Sequence, residues 1–163
     1  MAVAALLLAD GCSLGAYGRR EASLRQALDA HQFGRPCQEV WPTALRLLDE
    51  RGCDLVGRDR AAVGKPGDPW WRHLVGSGFE TRRASDGGLL MESRRNSTGI
   101  RYRLEGKDET RESCRVRFFA IRQTGEAPEE RSSRDLALEL VLVRQLEPMA
   151  ATRIDAAVDS AGR

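Results

Sequence analysis

Cysteine and histidine are two residue types in this chain that could support nucleophilic, redox or metal chemistry. The four cysteines, at positions 12, 37, 53 and 114, include no pair with the C-x-x-C spacing of a zinc ribbon or a thioredoxin-type site. His31 and His73 could each serve as the base of a Cys–His pair, but neither lies in a recognisable motif. We therefore predict buried or bridged thiols and two surface histidines, with no catalytic residue, no metal and no cofactor.

The positions of the cysteines limit which of them can form a disulfide. Cys37 and Cys53 lie at the two ends of a predicted central helix, and a helix of that length separates its ends by roughly 20 Å. If the chain is exported to an oxidising compartment, Cys114 must be one partner of any bridge among these three. Cys114 could reach either end of the helix. We favour Cys53–Cys114, because Cys53 leads directly into the sheet that contains Cys114.

Several arginines occupy alternate positions of the predicted strands, out of phase with the apolar residues, and should share one polar face: Arg94, Arg101, Arg103, Arg115 and Arg117. Such a face could hold an anionic partner, such as lipid headgroups or the carboxylates or phosphates of a polymer. The alternative, which we prefer, is a solvated face on which Glu92 and Glu105 pair with the arginines. The pattern places no aromatic residue there, which argues against single-stranded nucleic acid as a partner.

The first 11 residues form an apolar run that is too short to span a bilayer and has the length of a secretory h-region. Its end, Leu8-Ala9-Asp10-Gly11-Cys12, resembles the lipobox of bacterial lipoproteins, in which small residues precede a lipidated cysteine. Ala9 stands where that motif usually has leucine, and no Lys or Arg precedes the run. We interpret Cys12 as a lipidation site. The alternative is an N-terminal strand or helix turn that contains a cysteine.

Length and composition indicate one domain with short tails. The chain has 41% hydrophobic and 31% charged residues, and its 26 basic and 24 acidic side chains leave a net charge of +2. This balance gives no whole-protein argument for nucleic-acid binding. We divide the chain into a signal-peptide-like segment (1–11), a lipidated cysteine with a tether and a short helix (12–34), and a single α+β domain with a C-terminal helical tail (35–163).

Apolar spacing predicts two helices before the sheet. Residues 21–32 have a short amphipathic pattern, and residues 40–52 have one broad apolar stripe typical of a central helix. Gly52 is placed to end that helix in the left-handed conformation. Leu55 and Val56 then indicate a short strand.

The apolar period changes to two in the second half of the chain, which predicts three strands: 89–94, 100–105 and 114–121. Turn-forming residues at 96–99 and 106–110 indicate hairpin loops between them. Ser132, with Asp135 three residues later, indicates the start of a helix, and a last helix restarts at Glu147-Pro148. The predicted fold class is α+β, with an antiparallel meander of three to four strands packed by the central helix and the C-terminal helices.

The spacing Val40-Trp41-x-x-Ala44-Leu45-x-Leu47-Leu48-x-x-x-Gly52-x-x-Leu55-x-x-x-Asp59, followed by arginine-bearing strands, resembles bacterial envelope lipoproteins with BamC-like domains. Those domains have a helix, a strand and a meander in the same order. The resemblance covers about half of the chain. It implies a structural role, or a role accessory to outer-membrane assembly.

The sequence has no Gly-rich phosphate loop after a strand and no H-E-x-x-H motif. We therefore predict a non-catalytic binding or scaffolding module, lipid-anchored on the periplasmic side of the envelope. Ser13, rather than Asp, follows Cys12 and fits anchoring in the outer membrane, with envelope proteins or an anionic polymer as partners and no nucleic acid. The alternative is a small cytosolic enzyme or regulator that retains its N-terminal apolar segment.

Overall fold

The structure is a computed structural model, and it describes residues 7–53, 82–83, 88–93, 95–123 and 130–163. The predicted strand at Leu55 and Val56 lies outside these residues. The described chain divides into two compact units, with the division inside a helix after Leu142. We call residues 32–142 the sheet unit, and the residues up to His31 together with 143–163 the helical unit.

The helical unit pairs the first helix of the chain with the last. Helix α1 spans Leu7–Ala30, and the last helix, α4, spans Pro148–Ala161 and packs against it. The predicted tether between Cys12 and the short helix is therefore wrong, because α1 continues through it. We attribute this to the residues around Gly15 and Gly18, which include alanines, arginines and a glutamate that favour helix.

Helix α2, Cys37–Glu50, is the predicted central helix, and it begins directly after Pro36. The backbone of Gly52 has φ +71°, the left-handed conformation that was predicted to end the helix. The Gly52 amide donates to the Asp49 carbonyl and the Cys53 amide donates to the Leu48 carbonyl, at 2.8 and 3.1 Å. These two bonds form a Schellman motif, which satisfies carbonyls at the end of α2.

The sheet has five antiparallel strands in sequential order, which confirms the α+β class and the meander. The strands are β1 (Arg82–Arg83), β2 (Leu89–Glu92), β3 (Ile100–Thr110), β4 (Ser113–Gln123) and β5 (Glu130–Arg134). Every neighbouring pair is antiparallel. The β3–β4 hairpin is the longest part of the sheet, and its two strands position the residues considered below.

The predicted loop at 106–110 is wrong, because β3 continues to Thr110 and the chain turns at Arg111–Glu112. Gly106 lies within the strand and faces Trp41 of α2. A Cβ atom at this position would lie 2.5 Å from Cζ3 of Trp41. The glycine thus allows the indole to approach the sheet, and it does not mark a turn.

The helix after the sheet, α3, spans Leu136–Leu146 and begins later than predicted. Ser132 lies in β5 and is not its N-cap. Asp135 fills that role, since its Oδ1 atom accepts a hydrogen bond from the Leu138 amide at 2.9 Å. The other carboxylate oxygen of Asp135 accepts a hydrogen bond from the Tyr102 hydroxyl at 3.2 Å, and burial together with this carboxylate raises the pKa of Tyr102.

One face of the sheet is apolar and is covered by α2, and we call it the helix face. Its residues on β3 and β4 pair across the two strands, as Leu104 does with Phe118 and Gly106 with Val116. Trp41 and Leu48 of α2 are completely buried, as are Leu104 and Phe118. Burial of these large side chains gives the sheet unit its core.

Candidate functional site

The opposite face of the sheet carries the arginines at alternate positions of β3 and β4. Arg101 and Arg103 lie on β3, and Arg115 and Arg117 lie on β4, where the register pairs Arg117 with Glu105. All four have the strand phase opposite to the buried Leu104 and Phe118, so they share one face as predicted. We call this surface the arginine face. The fifth predicted member, Arg94, lies outside the described residues.

Carboxylates accompany the arginines on this face. The nearest atoms are 3.2 Å apart in each of three ion pairs: Arg101–Glu92, Arg103–Glu105 and Arg115–Glu109. Glu92 and Glu105 were predicted as partners. Glu109 was missed, because it lies in the segment interpreted as a loop. The side chains in these pairs are 27–43% exposed, so each pair contributes about 0–1 kcal/mol to stability.

An aromatic residue does lie on the arginine face, which corrects the prediction that none would. Phe119 pairs with Arg103 across the strands, and the Cζ atom of Arg103 is 5.2 Å from the centre of the Phe119 ring. This distance is within the range of a cation–π interaction. Phe119 follows Phe118 directly, and adjacent strand residues point to opposite faces. The sequence signal was therefore available, and the argument against single-stranded nucleic acid loses its basis.

Arg103 is held on two sides. Its guanidinium lies over Phe119, and its Nε atom is 3.2 Å from Oε1 of Glu105, close enough for an ion pair but not aligned for a hydrogen bond. These are the interactions that Arg103 makes with the described residues, and none of them uses its terminal Nη1 and Nη2 atoms. The planar edge formed by these two atoms could donate to an external oxyanion.

The disulfide joins Cys37 to Cys114, and the predicted Cys53–Cys114 pair is wrong. The Cα atoms of Cys37 and Cys114 are 4.9 Å apart, and both side chains are buried. The prediction that Cys114 is a partner is confirmed, but it bonds to the other end of α2. The reason is the direction of the hairpin. The start of β4 lies beside the start of α2, where Phe33 exchanges two backbone hydrogen bonds with Cys114.

Cys53 is a buried free thiol at the opposite end of α2. Burial raises the pKa of Cys53, although a hydrogen bond with Ser93 opposes the shift. A thiol with a raised pKa is a weak nucleophile, because little of it is thiolate at neutral pH. Cys53 thus has the properties of a packing residue.

Asp108 is the one carboxylate in the described residues that lies beside two sulfur atoms, those of Cys37 and Cys114. Its Oδ1 atom accepts a hydrogen bond from the Cys37 amide at 2.7 Å. Asp108 therefore caps the start of α2, where a negative charge is favourable. Because the two sulfurs are bonded to each other, the group is explained by the disulfide and the cap without a metal ion.

A buried ion pair lies where β5 leads into α3. Arg134 donates to both carboxylate oxygens of Glu139, at 2.8 and 2.7 Å, and the Phe118 amide donates to the same carboxylate at 3.2 Å. Burial raises the pKa of Glu139, while these donors act in the opposite direction. All of the donors are internal, so this carboxylate has the properties of a structural group rather than a catalytic acid.

His31 belongs to the helical unit and is largely buried, with a side chain 13% exposed, so the predicted surface position is wrong. Its Nε2 atom is 3.5 Å from Oε2 of Glu147. Burial lowers the pKa of His31, with Arg153 acting in the same direction and Glu147 against it. The other histidine, His73, lies outside the described residues.

Cys12, the predicted lipidation site, lies within α1, and its side chain is outside the described part of the structure. Among the described helices, none is long and apolar enough to cross a membrane. Lipidation of Cys12 therefore stays a prediction from the sequence.

Comparisons with protein-family models, with curated proteins and with solved structures give no match. The resemblance to envelope lipoproteins with BamC-like domains remains a hypothesis based on apolar spacing. The function must therefore be argued from the residues themselves.

Proposed function

We propose that this protein is an exported, lipid-anchored component of the bacterial envelope that acts as a non-catalytic binding or scaffolding module. The observation that carries the export is the buried Cys37–Cys114 disulfide. Structural disulfides form and persist in oxidising compartments such as the periplasm and are rare in the cytosol. Cys12 is the proposed anchor, with Ser13 after it favouring the outer membrane.

The arginine face supports the binding role. It combines four guanidinium groups with one half-buried aromatic ring, and it lies on the sheet surface that α2 leaves uncovered. The ionisable residues described above are explained by packing, capping or ion pairs. A binding module is therefore a better account of this chain than an enzyme.

The anchor can be tested by expressing the full chain in a Gram-negative host with a clickable fatty acid. The wild type should incorporate the label and fractionate with membranes. Cys12→Ala should lose the label and appear in the soluble fraction, because no acyl chain then holds it. Cys53→Ala is the matched control, since it removes another cysteine and should leave both properties unchanged. An unlabelled wild type, or unchanged fractionation of Cys12→Ala, would contradict the anchor.

A second candidate is a cytosolic protein that keeps its N-terminal segment. The continuous helix α1 favours it, because the helix extends from Ala30 back to Leu7 and includes residues that a signal peptidase would remove. The N-terminal mass of the protein purified from its native host separates the two candidates. A mature chain that begins at a modified Cys12 supports the envelope protein, and a chain that retains residues 1–11 supports the cytosolic one.

A further inference from the structure

We propose that the arginine face binds an extended acidic segment of a partner protein, with carboxylates at alternate residues of that segment, and that Arg103 is its main contact. This inference rests on the proposed binding role and names the partner chemistry. It does not depend on the lipid anchor, so the two can fail separately.

Charge complementarity favours an anionic occupant. On β3 and β4, with the Glu92 partner of Arg101 included, the basic side chains of this face outnumber the carboxylates five to three. The basic ones are Arg101, Arg103, Lys107, Arg115 and Arg117, and the acidic ones are Glu92, Glu105 and Glu109. The excess of positive charge favours an anionic ligand group, and a guanidinium can bind a carboxylate through two parallel hydrogen bonds.

Spacing favours a polypeptide as the carrier of these carboxylates. Arg101 and Arg103 are two residues apart on β3, as Arg115 and Arg117 are on β4, so each pair of Cα atoms is separated by about 7 Å. An extended peptide repeats its side chains on one side at the same interval of about 7 Å. Acidic residues at alternate positions of such a peptide would thus match the arginines of one strand.

The side chain of Arg103 is preorganised for binding. The Phe119 ring and the Glu105 carboxylate hold its guanidinium in place, which reduces the side-chain freedom lost on binding. Its terminal Nη1 and Nη2 atoms can then form a bidentate pair with one carboxylate. Phe119 is a positioning residue in this account, because it acts through Arg103.

The test measures binding of the full-length protein to two labelled peptides by fluorescence anisotropy at low ionic strength. One peptide alternates Glu and Thr. The other has the same composition in a repeat of Glu-Glu-Thr-Thr, which contains no two glutamates at alternate positions. We expect the alternating peptide to bind several-fold more tightly, and its affinity to fall as salt is added.

Variants assign the effect to Arg103. Arg103→Lys keeps the charge but removes the planar edge, and it should weaken binding of the alternating peptide about tenfold. Phe119→Leu keeps every charge and should weaken it about threefold, by releasing the guanidinium. Arg131→Lys is the matched control, because Arg131 is exposed and its strand phase is opposite to that of the arginine face. This variant should bind the alternating peptide with the affinity of the wild type. Circular dichroism of each variant confirms that it is folded.

Several results would contradict the proposal. Equal affinity for the two peptides would overturn the spacing argument, and equal affinity of Arg103→Lys and wild type would overturn the role of Arg103. Oligogalacturonate, oligothymidylate and phosphatidylglycerol vesicles are measured in parallel. Tighter binding of any of these than of the alternating peptide would assign the face to a glycan, a nucleic acid or a membrane instead. No binding of either peptide would remove the proposal while leaving the anchor untouched.

Discussion

The two faces of the sheet are formed by the same two strands, yet they are stabilised in different ways. On the helix face, Gly106 and Phe118 are buried against α2, and a disulfide fixes the start of that helix. On the arginine face, the corresponding positions hold half-exposed ion pairs. Burial and covalent linkage contribute several kcal/mol each, whereas an exposed ion pair contributes at most about 1 kcal/mol. Within the β3–β4 hairpin, the helix face should therefore contribute more to stability than the ion pairs of the arginine face do.

The largest effect is expected from the disulfide on the helix face. Cys37 and Cys114 are 77 positions apart, so opening this loop should lower the free energy of unfolding by about 4 kcal/mol. Urea unfolding of the Cys37→Ala/Cys114→Ala variant measures this loss, and adding a reductant to the wild type should reproduce it. Cys53→Ala should keep its sensitivity to reductant. If Cys53→Ala loses that sensitivity instead, the bridge involves Cys53.

A similar effect is expected at the buried ion pair between Arg134 and Glu139, where β5 meets α3. Glu139→Gln removes the charge of the carboxylate that pairs with the Arg134 guanidinium, whose side chain is 9% exposed. The cost should be about 3 kcal/mol, because breaking a buried ion pair by removing one charge is strongly unfavourable. Thermal unfolding provides the measurement. Glu112→Gln, at the exposed hairpin turn, is the control and should change stability by less than about 0.5 kcal/mol. Equal effects of the two substitutions would contradict the buried pair.

Overpacking of the helix face should have an intermediate effect. Gly106→Ala would place a Cβ atom 2.5 Å from the Trp41 ring, and either the indole or the strand must move. We expect a loss of about 2 kcal/mol. Gly34→Ala is a suitable control, because no heavy atom lies within 4 Å of a Cβ atom built there. Chemical unfolding of the two variants distinguishes close packing at Gly106 from a general effect of replacing glycine.

The sequence predicted the parts of this fold that depend on local pattern. Periodicity gave α2 and the meander, and Gly52 marked the end of α2 as the structure has it. The sequence-based predictions were wrong where tertiary contacts determine the local structure. Gly106 resembles a turn residue, but it lies in a strand because Trp41 needs the space. Ser132 resembles an N-cap, but pairing with Ile121 keeps it in β5.

In the candidate site, too, the features that depend on local pattern could be predicted, and those that depend on tertiary contacts could not. Alternation placed four of the arginines on one face, which is a property of the strand alone. The disulfide partner of Cys114 could not be chosen from the sequence, because it depends on how the hairpin crosses α2. The role of Phe119 was missed, although Phe118 and Phe119 are adjacent in a strand and therefore point to opposite faces.

The smallest effect is expected on the arginine face, and it decides whether that face is available for binding. A double-mutant cycle with Arg101→Ala and Glu92→Ala should give a coupling energy below about 1 kcal/mol, which decreases further in high salt. A low value means that Glu92 can release Arg101 to an external carboxylate at little cost. A salt-independent coupling above about 2 kcal/mol would instead identify the pair as a structural element, and the contrast between the two faces would no longer hold.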